Sequence, residues 1–303
     1  MPRIIKSHSV TSRLLSTLLL AIAIANPQLV SAEEVQLKWK DLTLNANLSL
    51  ADESGFDTVI LITHGTLAHN KMEIIQTWQE LLNDEEISSL AINLSLGIDD
   101  RHGMYDCDTT HTHKHTDAIE EIDAWVNWLK SKGTQQIILA GHSRGGNQTA
   151  WYVQEKSNPA IKGQILLAPQ TWSEQDEQNN YAERYQQELS PLLSFAKTQQ
   201  KEKMMDNTHF IYCSSTRVTT ASFLNYYSPD PRLDTPYLLK NTTIPTLLFS
   251  GNEDTTVPDL PKKMASIDNT MVTAIEIEGA GHFFRDLYLD DVIEHSLTFI
   301  EGL

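Results

Sequence analysis

Six short apolar runs rich in β-branched residues alternate with helix-like stretches along most of this chain. The runs lie at residues 58–63, 88–93, 136–140, 163–167, 245–250 and 271–277. Within most of these runs the apolar residues are continuous rather than alternating, as in strands buried on both faces. The stretches with helical spacing lie at residues 71–83, 116–130, 144–155 and 286–300. Alternation of strand and helix predicts an α/β fold, a mostly parallel sheet with helices on both faces.

Two segments depart from this rhythm. Residues 35–50, VQLKWKDLTLNANLSL, alternate with a period of two, which predicts an antiparallel pair of strands. From about residue 170 to 240 the composition turns to Gln, Glu, Asn and Tyr, with helix-like pieces and one apolar run, HFIYC. So long a plain loop is uncommon in a compact domain, so we predict an inserted helical cap that shapes a substrate pocket. The alternative is a peripheral decoration with no role in binding.

The first 32 residues are typical of an export signal. Three basic residues precede the apolar run LLSTLLLAIAIA at 14–25, which is shorter than the roughly 20 residues a membrane span needs. Small residues follow at Val30 and Ala32, where a signal peptidase reads the chain. We therefore predict cleavage after Ala32, one domain over 33–303 in the periplasm or outside the cell, and no stable membrane anchor. An uncleaved anchor is the alternative.

The net charge of the chain excludes some classes of binding partner. The chain has 23 basic and 40 acidic residues, a net charge of −17, and loss of the three basic residues in the signal would make it −20. Nucleic acid and anionic membrane surfaces are poor partners for such a chain.

Cys107 and Cys213 are the two cysteines. In an exported protein they could form a disulfide, and two buried thiols are the alternative.

The sequence LAGHSRGG at 139–146 places one serine at the end of a predicted strand and the start of a predicted helix. This is the G-x-S-x-G pattern in the strand-to-helix context that it requires. Gly141 and Gly145 are needed because side chains there would collide across the sharp turn. The turn holds Ser143 in a strained conformation with its hydroxyl above the sheet, near the partial positive charge of the helix N-terminus. Ser143 is therefore a candidate nucleophile.

A serine hydroxyl needs a base to activate it and a group that orients the base. An acidic loop, GNEDTTVP, directly follows the strand predicted at 245–250, and it contains Asp254. The next strand, at 271–277, is followed by EGAGHFF, which contains His282 among small residues. The three candidates therefore occur in the chain order Ser, Asp, His.

The motifs GHSRGG, GNEDTTVP and GAGHFF together resemble the α/β-hydrolase superfamily over essentially the whole chain after residue 32. The resemblance implies the α/β-hydrolase fold, with Ser143 as nucleophile and His282 as general base and then acid. It implies Asp254 as the carboxylate that fixes the imidazole tautomer, because the G-x-x-D-x-x-V-P spacing matches the family. Glu253 is the neighbouring acid that could be mistaken for it. No cofactor and no metal are expected.

The same resemblance implies an oxyanion hole made of two backbone N–H groups. One belongs to Arg144, the residue after the serine. The other comes from the turn HGTL at 64–67, where Thr66 is our choice and Leu67 remains possible. His64 is expected to hold this turn rather than to take part in catalysis.

The stretch LSLGIDDRHGMYDCDTTHTHKH, at 94–115, follows a strand end of the kind where α/β sheets bind ligands. We predict that Arg101 and His102 face the substrate, with Arg101 available to a carboxylate or phosphate. The histidines at 111, 113 and 115, with nearby aspartates, offer a divalent metal site as an alternative. A solvated polar loop is the default expectation for these histidines.

These observations favour a serine hydrolase that cleaves an ester-like or amide-like bond in a small-molecule acyl substrate through an acyl-enzyme. Esterase or lipase-like action ranks first, because the triad is indifferent to the leaving group and only the pocket distinguishes substrates. Thioesterase, peptidase and acyltransferase activities are alternatives on the same triad. A binding protein that retains the fold without catalysis is the rival from another class.

Overall fold

The computed structural model describes residues 32–51 and 55–303, so residues 1–31 of the predicted export signal lie outside the described residues. Eight strands form one sheet in the order β1-β2-β4-β3-β5-β6-β9-β10. They are β1 (Glu33–Trp39), β2 (Leu42–Ser49), β3 (Thr58–Thr63), β4 (Ser88–Asn93), β5 (Gln136–His142), β6 (Ile161–Leu167), β9 (Thr246–Gly251) and β10 (Val272–Ile277). β2 pairs antiparallel with β1 and β4, and the other neighbours pair parallel. The mostly parallel sheet and the opening antiparallel pair are both confirmed.

Two helical layers cover this sheet. The helices are α1 (Glu73–Asp84), α2 (Asp117–Ser131), α3 (Arg144–Glu155), the short α8 (Leu260–Met264) and α9 (Tyr288–Glu301). α1 packs against α9, and α2 packs against α3. The apolar runs of β3, β4 and β5 are buried almost completely, as continuous apolarity predicts for central parallel strands. The carboxyl ends of these strands therefore meet along one well-supported edge.

An inserted segment between β6 and β9 carries its own small core. It contains α4 (Glu174–Tyr185), α5 (Leu189–Lys197), β7 (Met204–Phe210), β8 (Cys213–Thr219), α6 (Thr220–Tyr227) and α7 (Thr235–Leu239). The apolar run HFIYC spans the turn of an antiparallel hairpin, in which Phe210 pairs with Cys213. Ile211 takes a positive φ of 47° in this turn, a position where Gly or Asn usually signals a hairpin. Ile211 and Tyr212, the two residues of this turn, are therefore not residues from which a hairpin can be predicted.

A disulfide joins the β4–α2 loop to this hairpin, between Cys107 and Cys213. Backbone pairing continues the connection, because the His111 N–H donates to the Arg217 carbonyl at 2.8 Å and the Thr219 N–H donates to the His111 carbonyl at 2.9 Å. Of the two states that the sequence left open for the cysteines, the structure has the bridged one.

The side chains of His111, His113 and His115 in the β4–α2 loop are buried, so the expectation of a solvated loop is wrong for these three histidines. The rings of His111 and His113 pack against Tyr105 and Phe210, and His115 packs against Trp151. They do not converge as three metal ligands. Alternating histidines look polar in sequence, but neutral imidazole packs well among aromatic rings.

None of the described helices combines the length and apolarity that crossing a bilayer requires.

A buried carboxyl fixes the start of the same loop. Glu121 on α2 accepts the Ser95 N–H at 2.8 Å and the Ser95 hydroxyl at 2.5 Å. Burial raises the pKa of Glu121 to about 7, although both bonds from Ser95 oppose the rise. The Glu121 carboxyl therefore keeps its proton in the folded protein at pH values at which it is already ionised in the unfolded chain.

This difference predicts a pH-dependent stability. Between about pH 4.5 and 7 the folded protein holds a proton that the unfolded chain has released, so Glu121 makes unfolding easier as the pH rises. The full effect is up to about 3 kcal/mol. Glu121→Gln should remove this part of the slope, measured by urea unfolding at several pH values. Glu120→Gln, on the exposed face of the same helix, is the matched control and should keep the wild-type slope. If the unfolding free energies of wild type and Glu121→Gln changed equally with pH, the slope could not be assigned to Glu121.

Candidate active site

Ser143 lies in a strained turn between β5 and α3. Its φ of 57° and ψ of −123° lie outside the regions that non-glycine residues usually adopt. The Ser143 N–H donates to the Leu167 carbonyl at 3.0 Å, and the Ser143 carbonyl accepts the Gln170 N–H at 2.9 Å. Such strain persists only where the surroundings hold it. The two bonds hold the serine partly exposed above the carboxyl end of the sheet.

The flanking glycines are required by close backbone approach. A Cβ on Gly145 would lie 2.3 Å from the His64 carbonyl oxygen, and one on Gly141 would lie 2.6 Å from the Gly145 carbonyl oxygen. Both distances are far inside van der Waals contact. Glycine at position 145 thus allows the turn after β3 to approach the serine, which the sequence argument expected on steric grounds.

The structure brings Ser143, His282 and Asp254 into one hydrogen-bonded chain. His282 Nε2 lies 3.0 Å from Ser143 Oγ, and His282 Nδ1 lies 2.8 Å from Asp254 Oδ2. Asp254 follows β9 and His282 follows β10, and these parallel neighbours end at the same edge of the sheet. Glu253 is exposed, with its N–H bonded to the Ala280 carbonyl. Of the two adjacent acids, Asp254 is the one in contact with the histidine.

Asp254 is held as a carboxylate. Burial by itself would raise its pKa, but the bond to His282 and the N–H groups of Val257 and Thr256 bring the pKa below the usual value. Those N–H groups donate to Asp254 Oδ1 at 3.1 and 2.6 Å, which leaves Oδ2 for His282. The carboxylate therefore has a fixed orientation and a negative charge at neutral pH.

His142 supports this arrangement and was assigned no role from the sequence. Its Nε2–H donates to the His282 carbonyl at 2.9 Å, and the two rings lie 4.9 Å apart. Burial, and to a lesser extent the nearby His282, lower the pKa of His142 to about 3. A neutral His142 thus anchors the His282 loop. The position of His142 next to Ser143 in GHSRGG was the one feature of the sequence that could have indicated a role in the site.

The two expected oxyanion donors lie beside the serine. Thr66 and Arg144 line the same cavity as Ser143. Within the described residues, neither backbone N–H is used in another hydrogen bond. Leu67, the alternative, is buried and is not one of the residues that line this cavity. His64 holds the turn as expected, since its ring contacts the Gly65 carbonyl and accepts the Leu94 N–H.

Arg101 and His102, predicted to face the substrate, lie elsewhere. Arg101 is 4% exposed, and its guanidinium donates to groups at the end of β4 and in the loops after β3 and β4. Its acceptors are the carbonyl groups of Ala68, Leu94 and Gly103 and the side chain of Asn93. His102 is exposed at the sheet edge, where it contacts Glu34. Arg101 therefore ties two loops together and has no free face for a substrate anion.

Two neighbouring lobes share Ser143 among their lining residues. An apolar lobe of about 220 Å³ is lined by Ala68, Met72, Met104 and Phe283. A polar lobe of about 130 Å³ is lined by side chains that include Arg144, Gln170, Glu177, Asn180 and Arg184. Thr66, Ser143, Tyr212 and Thr256 border both lobes. The inserted segment thus supplies much of the polar lobe, together with Tyr212 at the boundary.

Comparison with known proteins gives a family and a fold. Residues 56–284 match the family described as serine aminopeptidase, S33. Est1E from Butyrivibrio proteoclasticus is similar in structure, with a TM-score of 0.62 and 18% identity over 89% of this chain and 100% of that one. An esterase from Pyrococcus furiosus has a TM-score of 0.58 and 17% identity over 90% of this chain and 93% of that one.

A shorter match occurs with a curated protein, the phospholipase YtpA of Bacillus subtilis. It is 34% identical over 59 residues, or 20% of this chain. The matched stretch spans 22% of the length of the phospholipase.

Proposed function

The chain belongs to the serine aminopeptidase S33 family of α/β hydrolases, and from that premise we propose that it is a serine hydrolase acting on small carboxylic esters. The hydrogen-bonded chain of Ser143, His282 and Asp254 carries the proposal. A serine hydroxyl becomes a useful nucleophile when an oriented base is in contact with it. Three separate strand ends supply these groups within bonding distance of one another.

In the proposed reaction, Ser143 Oγ attacks the substrate carbonyl while His282 Nε2 takes the hydroxyl proton. Asp254 holds the imidazole in the tautomer that can accept this proton. The carbonyl oxygen becomes an oxyanion, which the N–H groups of Thr66 and Arg144 stabilise. His282 then gives the proton to the departing alcohol as the carbon–oxygen bond breaks. Water attacks the resulting acyl-enzyme by the same steps and releases the acid.

The lobes suggest how a substrate lies. We assign the acyl group to the apolar lobe beside Met72 and Met104, and the leaving group to the polar lobe. Each lobe is smaller than the roughly 300–1,000 Å³ of pockets that take drug-sized ligands. Short acyl groups should therefore be accepted better than long ones.

Two measurements test the proposal. A fluorophosphonate probe should label the folded protein on the peptide that contains Ser143, located by mass spectrometry, with Ser143→Ala as background. Among p-nitrophenyl esters, kcat/KM should be at least about tenfold higher for butyrate than for palmitate, because the small apolar lobe excludes the longer chain. Absence of labelling in folded protein would favour the non-catalytic alternative.

Amide cleavage is the second candidate, since the family is described as an aminopeptidase and Glu177 faces the polar lobe. Burial raises the pKa of Glu177, while Arg144 and Arg184 oppose the rise. A carboxylate there could meet a substrate amine. Aminoacyl p-nitroanilides in the same panel distinguish the two, because an aminopeptidase would prefer them to the butyrate ester.

A further inference from the structure

The side chain of Arg144 reaches from one side of the expected oxyanion hole to the other. Its backbone N–H is one expected donor, and its Nε–H donates to the Thr66 hydroxyl at 3.0 Å. Thr66 carries the other expected donor on its own backbone. One residue therefore contacts both halves of the hole, through its main chain on one side and its side chain on the other.

Two buried aromatic groups hold the Arg144 guanidinium in this place. Nη1 lies 3.2 Å from His115 Nδ1, and the guanidinium lies over the Tyr226 ring at 5.2 Å from its centroid. His115 is itself anchored, because its carbonyl accepts the Gln148 side chain at 3.0 Å. Burial lowers the pKa of His115 to about 3, so Nδ1 of the neutral ring is available as an acceptor.

Tyr226 connects this arrangement to the inserted segment. Its hydroxyl lies 2.9 Å from His113 Nδ1, and its ring packs against Phe210 in the core of that segment. Leu67 is buried in the same core. Thr66 is thus held from both directions, by its chain neighbour Leu67 and by Arg144.

A basic residue in the first turn of α3 is unfavourable for the helix itself. The N-terminus of a helix carries partial positive charge, which disfavours a cation there by up to about 1 kcal/mol. An arginine at this position therefore needs compensation from other contacts. The bond to the Thr66 hydroxyl adds nothing to the α3 helix, but it does fix the group that stands opposite the nucleophile.

From these contacts we infer that Arg144, seated by His115 and Tyr226, is a positioning residue that holds Thr66 so that its N–H meets the oxyanion. The inference rests on the proposed function, since it assigns a role within that reaction. It also predicts that the Thr66 hydroxyl matters through its bond to Arg144 and not through the substrate.

Thr66→Val removes the hydroxyl and keeps the backbone N–H and the branched shape. Arg144→Met removes the donor and keeps much of the stem. Each is expected to lower kcat for p-nitrophenyl butyrate by about 10- to 30-fold, with KM changed less than about threefold, because a displaced oxyanion donor weakens transition-state binding selectively. Arg144→Lys should resemble Arg144→Met, since it keeps the charge but lacks the Nε–H.

The double variant Thr66→Val/Arg144→Met supplies the decisive comparison. If both residues act through one hydrogen bond, the kcat of the double variant should equal that of either single variant within about threefold. Thr66→Ser restores the hydroxyl and should recover most of the loss. Arg232→Met is the matched control, because Arg232 also packs over an aromatic ring, that of Trp151, but contacts Asp230 and Glu155 outside the site.

The possible outcomes separate the two proposals. The positioning role would be overturned if the fold-loss in kcat of the double variant equalled the product of the two single losses, or if Thr66→Val had wild-type kcat. Either result would leave the proposed hydrolase function intact. Losses confined to thermal stability, with kcat unchanged at a temperature where all variants are folded, would also overturn it. A folded wild type that neither hydrolyses the ester nor reacts with the fluorophosphonate would remove the proposed function itself.

Discussion

Asp254→Asn is expected to lower kcat for ester hydrolysis by about 10⁴-fold, whereas Glu253→Gln should leave it within about twofold of wild type. Asn keeps an oxygen for the N–H groups of Thr256 and Val257, which directs its NH₂ group at His282 Nδ1. The imidazole must then accept at Nδ1 and carry its proton on Nε2. In that tautomer Nε2 cannot take the proton from Ser143.

The neighbouring acid makes this comparison sharp. Glu253 and Asp254 are adjacent in sequence and both are acidic, but Glu253 is exposed while Asp254 is 5% exposed and in contact with His282. Steady-state kinetics on both variants, with circular dichroism to establish folding, measures the difference. A Glu253→Gln loss as large as that of Asp254→Asn would show that the general electrostatics of the loop matter, and not one oriented carboxylate.

Much of the architecture could be predicted because its signals are local. Continuous apolar runs identify central strands, and helical spacing identifies the helices between them. The sharp turn at Ser143 could be anticipated for the same reason, since glycine at 141 and 145 is a steric requirement of the turn itself. His282 and Asp254 could be placed because they directly follow strands that end at a common edge.

The errors concern residues whose surroundings come from distant parts of the chain. Arg101 looks like an anion ligand from its position after β4, but it is buried and donates to four protein acceptors, one of them the Ala68 carbonyl, 33 residues before it. The three loop histidines look solvated, but a hairpin about one hundred residues later buries two of them. No spacing rule within the loop contains that information. His142 was overlooked because its contact, the His282 carbonyl, becomes its neighbour only after folding.

The disulfide is the contact that fixes this distant hairpin to the β4–α2 loop. Cys107 and Cys213 are 106 residues apart, and closing a loop of about 100 residues restricts the unfolded chain by about 4.7 kcal/mol. Breaking the bond gives that freedom back to the unfolded state. Cys107→Ala/Cys213→Ala should therefore lower the free energy of unfolding by about 4–5 kcal/mol and Tm by about 10–20 °C.

Reduction of the wild type is the matched control, because it breaks the same link without changing a side chain's volume. The reduced wild type and the double variant should unfold at similar urea concentrations, and added reductant should not affect the variant. The bond also joins the two segments that carry lining residues of the apolar lobe, since Met104 precedes Cys107 by three positions and Tyr212 precedes Cys213 by one. Loosening both walls should raise KM for butyrate by about threefold or more while kcat changes less, because the bond lies apart from Ser143, His282 and Asp254. Equal stability of oxidised and reduced wild type would mean that the backbone pairing at His111 holds the hairpin without the covalent link.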